Sequence, residues 1–226
     1  MDSLLNKKVR ADAMQETVML VLDLLGTAIF ALTGAVVGVR RKFDIFGVTV
    51  LGCCVGVGGG MIRDSIIGAT PAAALRNEWY LIICVTVALV TYASAKYWFH
   101  WRGIIQIADA LGLGVFTAIG AIKGDTYELG ATGIMLCGVL TAIGGGMIRD
   151  VLSGTIPVVL RSDFYATASL LGGGLYCVLA HFGCPVFLSF IVVAGFSTGL
   201  RLLAIRLHIQ LPTAGYLSSR RHHGRR

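Results

Sequence analysis

The seven-residue stretch GGGMIRD occupies residues 58–64, and the same seven letters return at residues 144–150. Each copy lies inside a long apolar run, where three consecutive glycines weaken a helix by roughly 1 kcal/mol each relative to alanine. An arginine beside an aspartate is also unfavourable in apolar surroundings. Because so unfavourable a sequence is used twice, it indicates a site around which the rest of the chain is organised.

The composition around these copies is typical of a membrane protein. Hydrophobic residues make up 56% of the 226 residues and charged residues only 14%, whereas soluble proteins carry about 25% charged residues. Mean hydropathy is +0.79. The 30 glycines fit helices that pack closely in lipid, because small residues let backbones approach. We therefore predict an all-α, multi-pass protein of the cell (inner) membrane that contacts membrane lipids.

Seven apolar runs are long enough to cross a bilayer, which takes about 20 residues. The second and fifth contain the glycine triplets, and each is followed by a proline, Pro71 or Pro157, which marks the exit from a helix. We expect each triplet to interrupt and kink its helix, since glycine permits backbone conformations that other residues avoid. The predicted spans are residues 17–39, 45–68, 79–99, 104–122, 129–153, 164–182 and 184–206.

The repeat extends well beyond the two triplets. At an offset of 86 residues many further positions match, including Asp23/Asp109, Phe30/Phe116, Pro71/Pro157 and, after a one-residue slip, Tyr80/Tyr165. Each repeat holds three spans, and because three is odd, the second repeat enters the membrane in the opposite orientation. The sequence predicts seven transmembrane helices, as an inverted 3+3 repeat plus a seventh helix, an arrangement that transport proteins use. The predicted segments are 1–16 (N-terminal), 17–103 and 104–183 (the repeats), 184–208 (seventh helix) and 209–226 (basic tail).

Basic residues in the short loops predict the orientation, because they collect on the cytoplasmic side. The heavier side carries Arg40, Arg41, Lys42, Lys96, Arg102, Arg161 and Arg206. The lighter side carries Lys7, Lys8, Arg10, Arg76 and Lys123. We therefore expect the N-terminus outside and the C-terminus in the cytoplasm.

Several classes of function are disfavoured. The net charge of +7 is concentrated towards the two ends, where anionic lipid headgroups attract basic segments, and no aromatic-interleaved basic patch indicates nucleic acid. Six cysteines without C-x-x-C spacing are predicted to pack as small apolar residues. No combination of nucleophile, base or metal ligands indicates an enzyme. We expect no catalytic residue, no cofactor and no bound metal.

The predicted site comes from the residues that the repeat duplicates. A charge at the centre of a membrane helix costs about 2.5–3.5 kcal/mol, so Arg63 and Arg149 need partners. Adjacent residues on a helix project about 100° apart, which favours carboxylates elsewhere, namely Asp23 and Asp109. Lys123 is interpreted as part of a solvated loop pair and Tyr80 as an anchor at the membrane interface.

A hydrophilic pathway through each subunit is the functional interpretation of this set. We predict that it bends at Gly58, Gly59, Gly60, Gly144, Gly145 and Gly146, and that it is lined or gated by Arg63, Asp64, Arg149, Asp150, Asp23 and Asp109. In the alternative interpretation the glycines only let helices cross and the Arg–Asp pairs hold the two repeats together. We favour pore kinks for the glycines, and for the charges a structural network that also shapes the pathway.

Two copies of Gly-Gly-Gly-x-x-Arg-Asp in a chain of seven helices and inverted repeats resemble the prokaryotic branch of the trimeric intracellular cation channels, also described as glycine-transporter-like proteins. The resemblance covers nearly all of residues 17–210. It implies a homotrimer with one pore per subunit, kinked second and fifth helices, an outside N-terminus and conduction of K⁺, Na⁺ and other monovalent cations. The chain lacks a Lys-Glu-Val motif and a long polar tail, so the resemblance is to the microbial members.

A channel for monovalent cations is accordingly the expected function, since backbone carbonyls and few fixed charges suit weak ion binding. The alternative is a facilitator for glycine or a similar small zwitterion, because paired arginine and aspartate side chains can hold a carboxylate and an ammonium group together. A purely structural assembly protein is a third possibility, and an intramembrane enzyme is disfavoured.

Overall fold

The computed structural model describes residues 2–98, 103–161, 164–207 and 209, with side chains from residue 17 onward except at residue 98. Arg102, most of the predicted basic tail and the side chains of Lys7, Lys8 and Arg10 lie outside these residues. The described chain is helical throughout. Its helices are α1 (Asp2–Arg40), α2 (Ile45–Ile66), α3 (Ala73–Arg76), α4 (Trp79–Ala93), α5 (Ala95–Trp98), α6 (Ile104–Thr126), α7 (Ala131–Leu152), α8 (Ala166–His181) and α9 (Val186–Leu207), with a 3-10 turn at Val158–Leu160.

The seven predicted spans correspond to the seven longer helices, which confirms an all-α membrane protein. Five of them are long and apolar enough to cross a bilayer by length and composition: Thr17–Arg40 of α1, α2, α6, α7 and α9. Helices α4 and α8 have 15 and 16 residues, about 22–24 Å at 1.5 Å per residue. They are shorter than predicted, because α4 gives way to α5 after Ser94 and α8 begins only at Ala166.

The helix packing repeats along the chain, as the sequence predicted. Helix α1 packs on α2 and α4, α6 packs in the same way on α7 and α8, and α9 packs on α6 and α8. Asp23, early in the apolar span Thr17–Arg40 of α1, and Thr126, at the end of α6, line one cavity, so equivalent helices run in opposite directions. The two repeats meet where α1 packs on α6 and α2 packs on α7.

Helices α2 and α7 are continuous through their glycine triplets. The prediction that the triplets interrupt these helices is therefore wrong, whereas a bend at each triplet stays a prediction. A Cβ atom on Gly59 would collide with the carbonyl oxygen of Thr141, and one on Gly145 would collide with that of Val55. The absence of side chains thus lets the two backbones touch, which is the alternative that the sequence analysis ranked second. We call the contact between α2 and α7 at Gly59 and Gly145 the glycine crossing.

A pair of repeat-related phenylalanines lies beside the glycine crossing. Phe30 and Phe116 are 1% and 4% exposed, and their rings meet edge to face with centroids 4.9 Å apart. Each ring packs on a glycine of the other repeat, Phe30 on Gly112 and Phe116 on Gly26. The centre of the subunit is therefore closed by packed side chains and backbone.

Repeat-related glycines end both triplet helices. Gly68 and Gly154 have φ values of +74° and +70°, a left-handed conformation that glycine adopts without strain and that commonly follows a helix. After each turn, the backbone that follows binds the last turns of the preceding helix. The backbone N–H of Ala73 donates to the Asp64 carboxylate at 2.9 Å, and that of Val158 donates to the Asp150 carboxylate at 2.8 Å.

Candidate functional site

The first motif copy forms a buried charge cluster. Arg63 donates from Nε to Asp64 Oδ1 at 2.9 Å, its Nη2 lies 2.8 Å from the same oxygen, and both side chains are at most 2% exposed. The Nη1 atom reaches Thr141 Oγ1 of the other repeat at 3.5 Å. Lys123 Nζ lies 2.9 Å from Asp64 Oδ1. One carboxylate of the first repeat therefore contacts two cations, one of them supplied by the second repeat.

The second motif copy has a different partner. Arg149 donates from Nε to Asp150 Oδ1 at 2.9 Å and from Nη1 to Asp109 Oδ1 at 2.6 Å. Its Nη1 also lies 3.3 Å from Thr33 Oγ1 of the first repeat. One arginine of the second repeat therefore contacts two carboxylates. Asp109, one of the two carboxylates expected as partners for the arginines, therefore does bind one of them.

Asp23, the other carboxylate expected to partner an arginine, is bound by a tyrosine instead. Asp23 accepts a hydrogen bond from the Tyr80 hydroxyl at 2.6 Å, and no bond joins it to Arg63 within the described part of the chain. Each arginine also reaches the aspartate that follows it, although neighbouring residues on a helix project about 100° apart. This angle describes only the directions in which the side chains leave the backbone. The long arginine side chain can fold back along the helix and reach its neighbour.

Tyr165, the repeat mate of Tyr80, lies in a contrasting environment. It is 2% exposed, and its hydroxyl lies beside the Asp109 carboxylate. The Arg201 guanidinium of α9 lies 4.8 Å from the centre of its ring. The phenol oxygen, Asp109 Oδ1 and Arg149 Nη2 all surround Gly146, at 3.0, 3.6 and 3.7 Å from the position of a Cβ atom on that glycine.

A wide cavity of about 660 Å³ opens at the end of the subunit where α6 ends. Asp23, Lys123 and Asp125 contribute charges to its wall, with Tyr80, Tyr127 and Tyr176 beside them. A narrow neck of about 20 Å³ shares Asp23, Ala73 and Tyr80 with this cavity and adds Gly60, Arg63 and Asp64. The neck has room for about one water molecule, so the first motif copy lies at the bottom of a polar funnel.

A second polar cavity, of about 390 Å³, lies at the opposite end of the subunit, where α1 ends. We call it the Arg40 cavity. Its lining residues are Val37, Arg40, Arg41, Asp150, Ser153 and Thr155. The second motif copy thus borders this cavity through Asp150, while the glycine crossing and the phenylalanine pair lie between the two ends.

Two members of the site were misinterpreted from the sequence. Tyr80 is 6% exposed and binds Asp23, so it is no interface anchor, unlike its exposed neighbour Trp79. Lys123 binds Asp64 rather than its neighbour Asp125, which instead accepts a hydrogen bond from the Tyr176 hydroxyl at 2.8 Å. The repeat offset pointed to Tyr80, because Tyr165 matches it, whereas nothing in the sequence pointed to Lys123.

The fold and these cavities define a helical membrane protein whose two inverted repeats each bring a buried Arg–Asp pair to a polar cavity. A family model described as glycine transporter matches residues 20–96 and 106–181, which correspond to the two repeats.

A UPF0126 membrane protein of Vibrio cholerae is 39% identical over 206 residues, which cover 89% of this chain and 84% of that protein. The UPF0126 inner membrane protein YadS of Escherichia coli K12 is 35% identical over 194 residues, 85% of this chain and 94% of that protein. A solved structure of the TRIC trimeric intracellular cation channel orthologue from Rhodobacter sphaeroides superimposes with a TM-score of 0.82 at 35% identity, covering 85% of this chain and all of that one. The chain belongs to the TRIC channel family, in its bacterial glycine transporter group.

Proposed function

We propose that the protein is a homotrimeric channel that conducts K⁺ and other monovalent cations through a pathway inside each subunit. The observation that carries this proposal is a pair of cavities at opposite ends of one chain: the first motif copy lies at the neck of the wide cavity, and Asp150 of the second copy borders the Arg40 cavity. A pathway that joins them would run past the crossing of α2 and α7. The solved relatives named as trimeric cation channels support the trimer and the choice of cations.

The electrostatics of the motif suit weak binding. Each arginine is paired with a carboxylate, so a passing cation does not meet a bare guanidinium, although Asp64 is shared between Arg63 and Lys123. The entrance at the wide cavity carries Asp23 and Asp125 against Lys123. We propose that the end with Arg40 faces the cytoplasm, because Arg40, Arg41 and the other loop cations of the described chain that predicted the orientation lie there.

Transport of glycine or a similar zwitterion is the second candidate, favoured by the description of the matching family. The Arg–Asp pairs expected to bind the zwitterion are not accessible to it, since the arginines are only 2–3% exposed and already paired. A zwitterion site would therefore lie elsewhere. Lys123 is 25% exposed and shares the wide cavity with Asp125, so these two side chains offer both charges that a zwitterion requires.

Flux through the purified protein in lipid vesicles tests the two functions. We expect unitary K⁺ currents under an applied voltage and no saturable uptake of radiolabelled glycine. Saturable glycine uptake without currents would overturn the channel proposal.

A lysine variant sharpens the same experiment. Lys123→Met removes a positive charge from the wall of the wide cavity, so K⁺ conductance at low salt should rise by about twofold through a higher local cation concentration. Lys96→Met is the matched control, because Lys96 is exposed beyond the far end of α4, and it should leave conductance unchanged. Loss of glycine uptake in Lys123→Met would instead support the zwitterion site.

A further inference from the structure

Two cysteines meet where α2 packs on α4. Both are free thiols, and the side chains of Cys53 and Cys84 are hydrogen-bonded to each other. The two helices come close here because α2 presents glycines to α4. A Cβ atom on Gly56 would lie 2.6 Å from Cys84 Sγ, and one on Gly52 would lie 3.2 Å from the Ala88 Cβ. Two sulfur atoms are therefore held side by side in a tight contact between membrane helices.

The second repeat has no thiols at the equivalent positions. The repeat mates of Cys53 and Cys84 are Val139 and Ser169, and the Ser169 hydroxyl accepts a hydrogen bond from the Thr117 hydroxyl at 2.7 Å. The same place in the fold is thus filled without sulfur in the second repeat. Packing alone does not require a pair of cysteines in the first repeat, so their chemistry deserves a separate explanation.

Cys53 is the accessible member of the pair. Cys84 is 0% exposed, whereas Cys53 is partly exposed and lies three residues after Val50, which is 40% exposed on the outer face of α2. Residues three apart share one face of a helix, and in a bilayer this outer face meets lipid. Glutathione, which keeps thiols reduced in the cytoplasm, is too polar to enter the hydrocarbon. A lipid-soluble oxidant is therefore the kind that can reach Cys53.

We propose that Cys53 and Cys84 form a redox site, which a lipid-soluble quinone oxidises to a disulfide between α2 and α4. In this step the two S–H bonds break and one S–S bond forms. The two protons and two electrons that the thiols lose convert the quinone to its hydroquinone. The product is a covalent link between the helix that carries the first motif copy and the helix that begins with Trp79 and Tyr80.

The link would lie beside the neck of the wide cavity. Gly56, which packs on Cys84, lines this neck together with Gly60 of α2 and Tyr80 of α4. The neck holds about one water molecule, so a cation that keeps part of its hydration shell needs α4 to move relative to α2. The disulfide prevents that movement and should block K⁺ flux until it is reduced. This consequence rests on the proposed channel function, whereas formation of the disulfide does not.

Mass spectrometry of the protein in lipid nanodiscs tests the chemistry. After treatment with a short-tailed ubiquinone, the peptides that contain Cys53 and Cys84 should be joined, and dithiothreitol should separate them. The oxidised protein should unfold about 5 °C above the reduced one, because a disulfide constrains the unfolded chain. Cys54→Ser is the matched control and should still form the link, whereas Cys53→Ser should not. Free thiols at both positions after treatment, or a link that Cys54→Ser removes, would overturn the inference.

Flux through vesicles tests the consequence separately. The oxidised protein should lose most of its K⁺ flux and regain it after dithiothreitol, whereas Cys84→Ser should keep its flux in the presence of the quinone. Undiminished flux through fully cross-linked protein would overturn the block. If the reduced protein carries no K⁺ flux, the channel proposal fails, and the cross-linking result alone then decides whether the redox site exists.

Discussion

The two copies of GGGMIRD have identical letters but different charge environments. In both, the arginine binds the aspartate that follows it and reaches a threonine of the other repeat. The third partner differs, since Lys123 joins Asp64 in the first copy, whereas Asp109 joins Arg149 in the second. The motif therefore determines its internal bonds, and the helices that pack against it determine its net charge.

This difference makes the two arginines unequal. Asp64 keeps Lys123 and the backbone N–H of Ala73 when Arg63 is removed. Asp109 and Asp150 both lose their bonded cation when Arg149 is removed. Equivalent substitutions in two copies of one sequence should thus have unequal effects.

Arg149→Met should have the largest effect. Removing one partner of a buried ion pair costs about 3–5 kcal/mol, because the other charge is left buried and uncompensated. Arg63→Met should cost less, since Lys123 remains beside Asp64. The temperature at which the purified protein loses its size-exclusion peak measures both, and Arg149→Met should have the lower value.

Second substitutions test the assigned partners. Asp109→Asn should restore part of the stability lost in Arg149→Met by removing one stranded charge, whereas Asp23→Asn should not restore Arg63→Met, because Asp23 is bound to Tyr80. Equal losses for the two arginines, or rescue by Asp23→Asn, would show that the repeats are electrostatically equivalent.

The glycine crossing should respond with an intermediate effect. In Gly59→Ala a methyl group would collide with the Thr141 carbonyl, and overpacking of this kind costs about 1–3 kcal/mol. Gly60→Ala is the matched control in the same triplet, because its nearest neighbour is the far end of the Arg63 side chain at 3.7 Å. We expect thermal stability to fall in the first variant and to hold or rise in the second.

Opposite results would restore the kink interpretation. If Gly60→Ala were the more harmful variant, the triplet would serve a bend in α2 rather than its contact with α7. The same comparison applies to Gly145, where a Cβ would meet the Val55 carbonyl. Similar losses for Gly59→Ala and Gly145→Ala would confirm that the crossing is symmetric.

Much of the fold could be predicted from the sequence, because the features that determine it are local or periodic. Apolar runs reveal membrane helices directly, and an odd number of spans per repeat dictates the inversion. The offset of 86 residues marked Asp23 and Asp109 as candidate partners of the arginines, since charges inside the membrane need partners, and Asp109 does bind Arg149.

The contacts that could not be predicted depend on helix rotation and close packing, which no local pattern in the sequence indicates. Lys123 reaches Asp64 from the other repeat, so no spacing along the chain signals the bond. The interruption at the triplets was predicted because glycine is unfavourable in an isolated helix, but an interrupted helix in lipid leaves backbone groups unpaired. Continuity is therefore the better solution wherever a neighbouring backbone comes close enough to fill the space beside the glycines.

The threonines that cross between repeats should give the smallest effects, and they test how far the difference between the copies extends. Hydrogen bonds between membrane helices contribute about 0.6 kcal/mol on average. In Thr141→Val the Nη1 atom of Arg63 loses a bond of 3.5 Å to its sole hydrogen-bond partner among the described residues. In Thr33→Val the Nη1 atom of Arg149 loses a bond of 3.3 Å but keeps Asp109 at 2.6 Å. Thr141→Val should therefore be the more destabilising of the two, although its bond is the longer.

Thermal unfolding of both variants in one detergent measures the order, and a larger loss for Thr33→Val would mean that bond length, rather than the number of remaining partners, determines the stability of each copy.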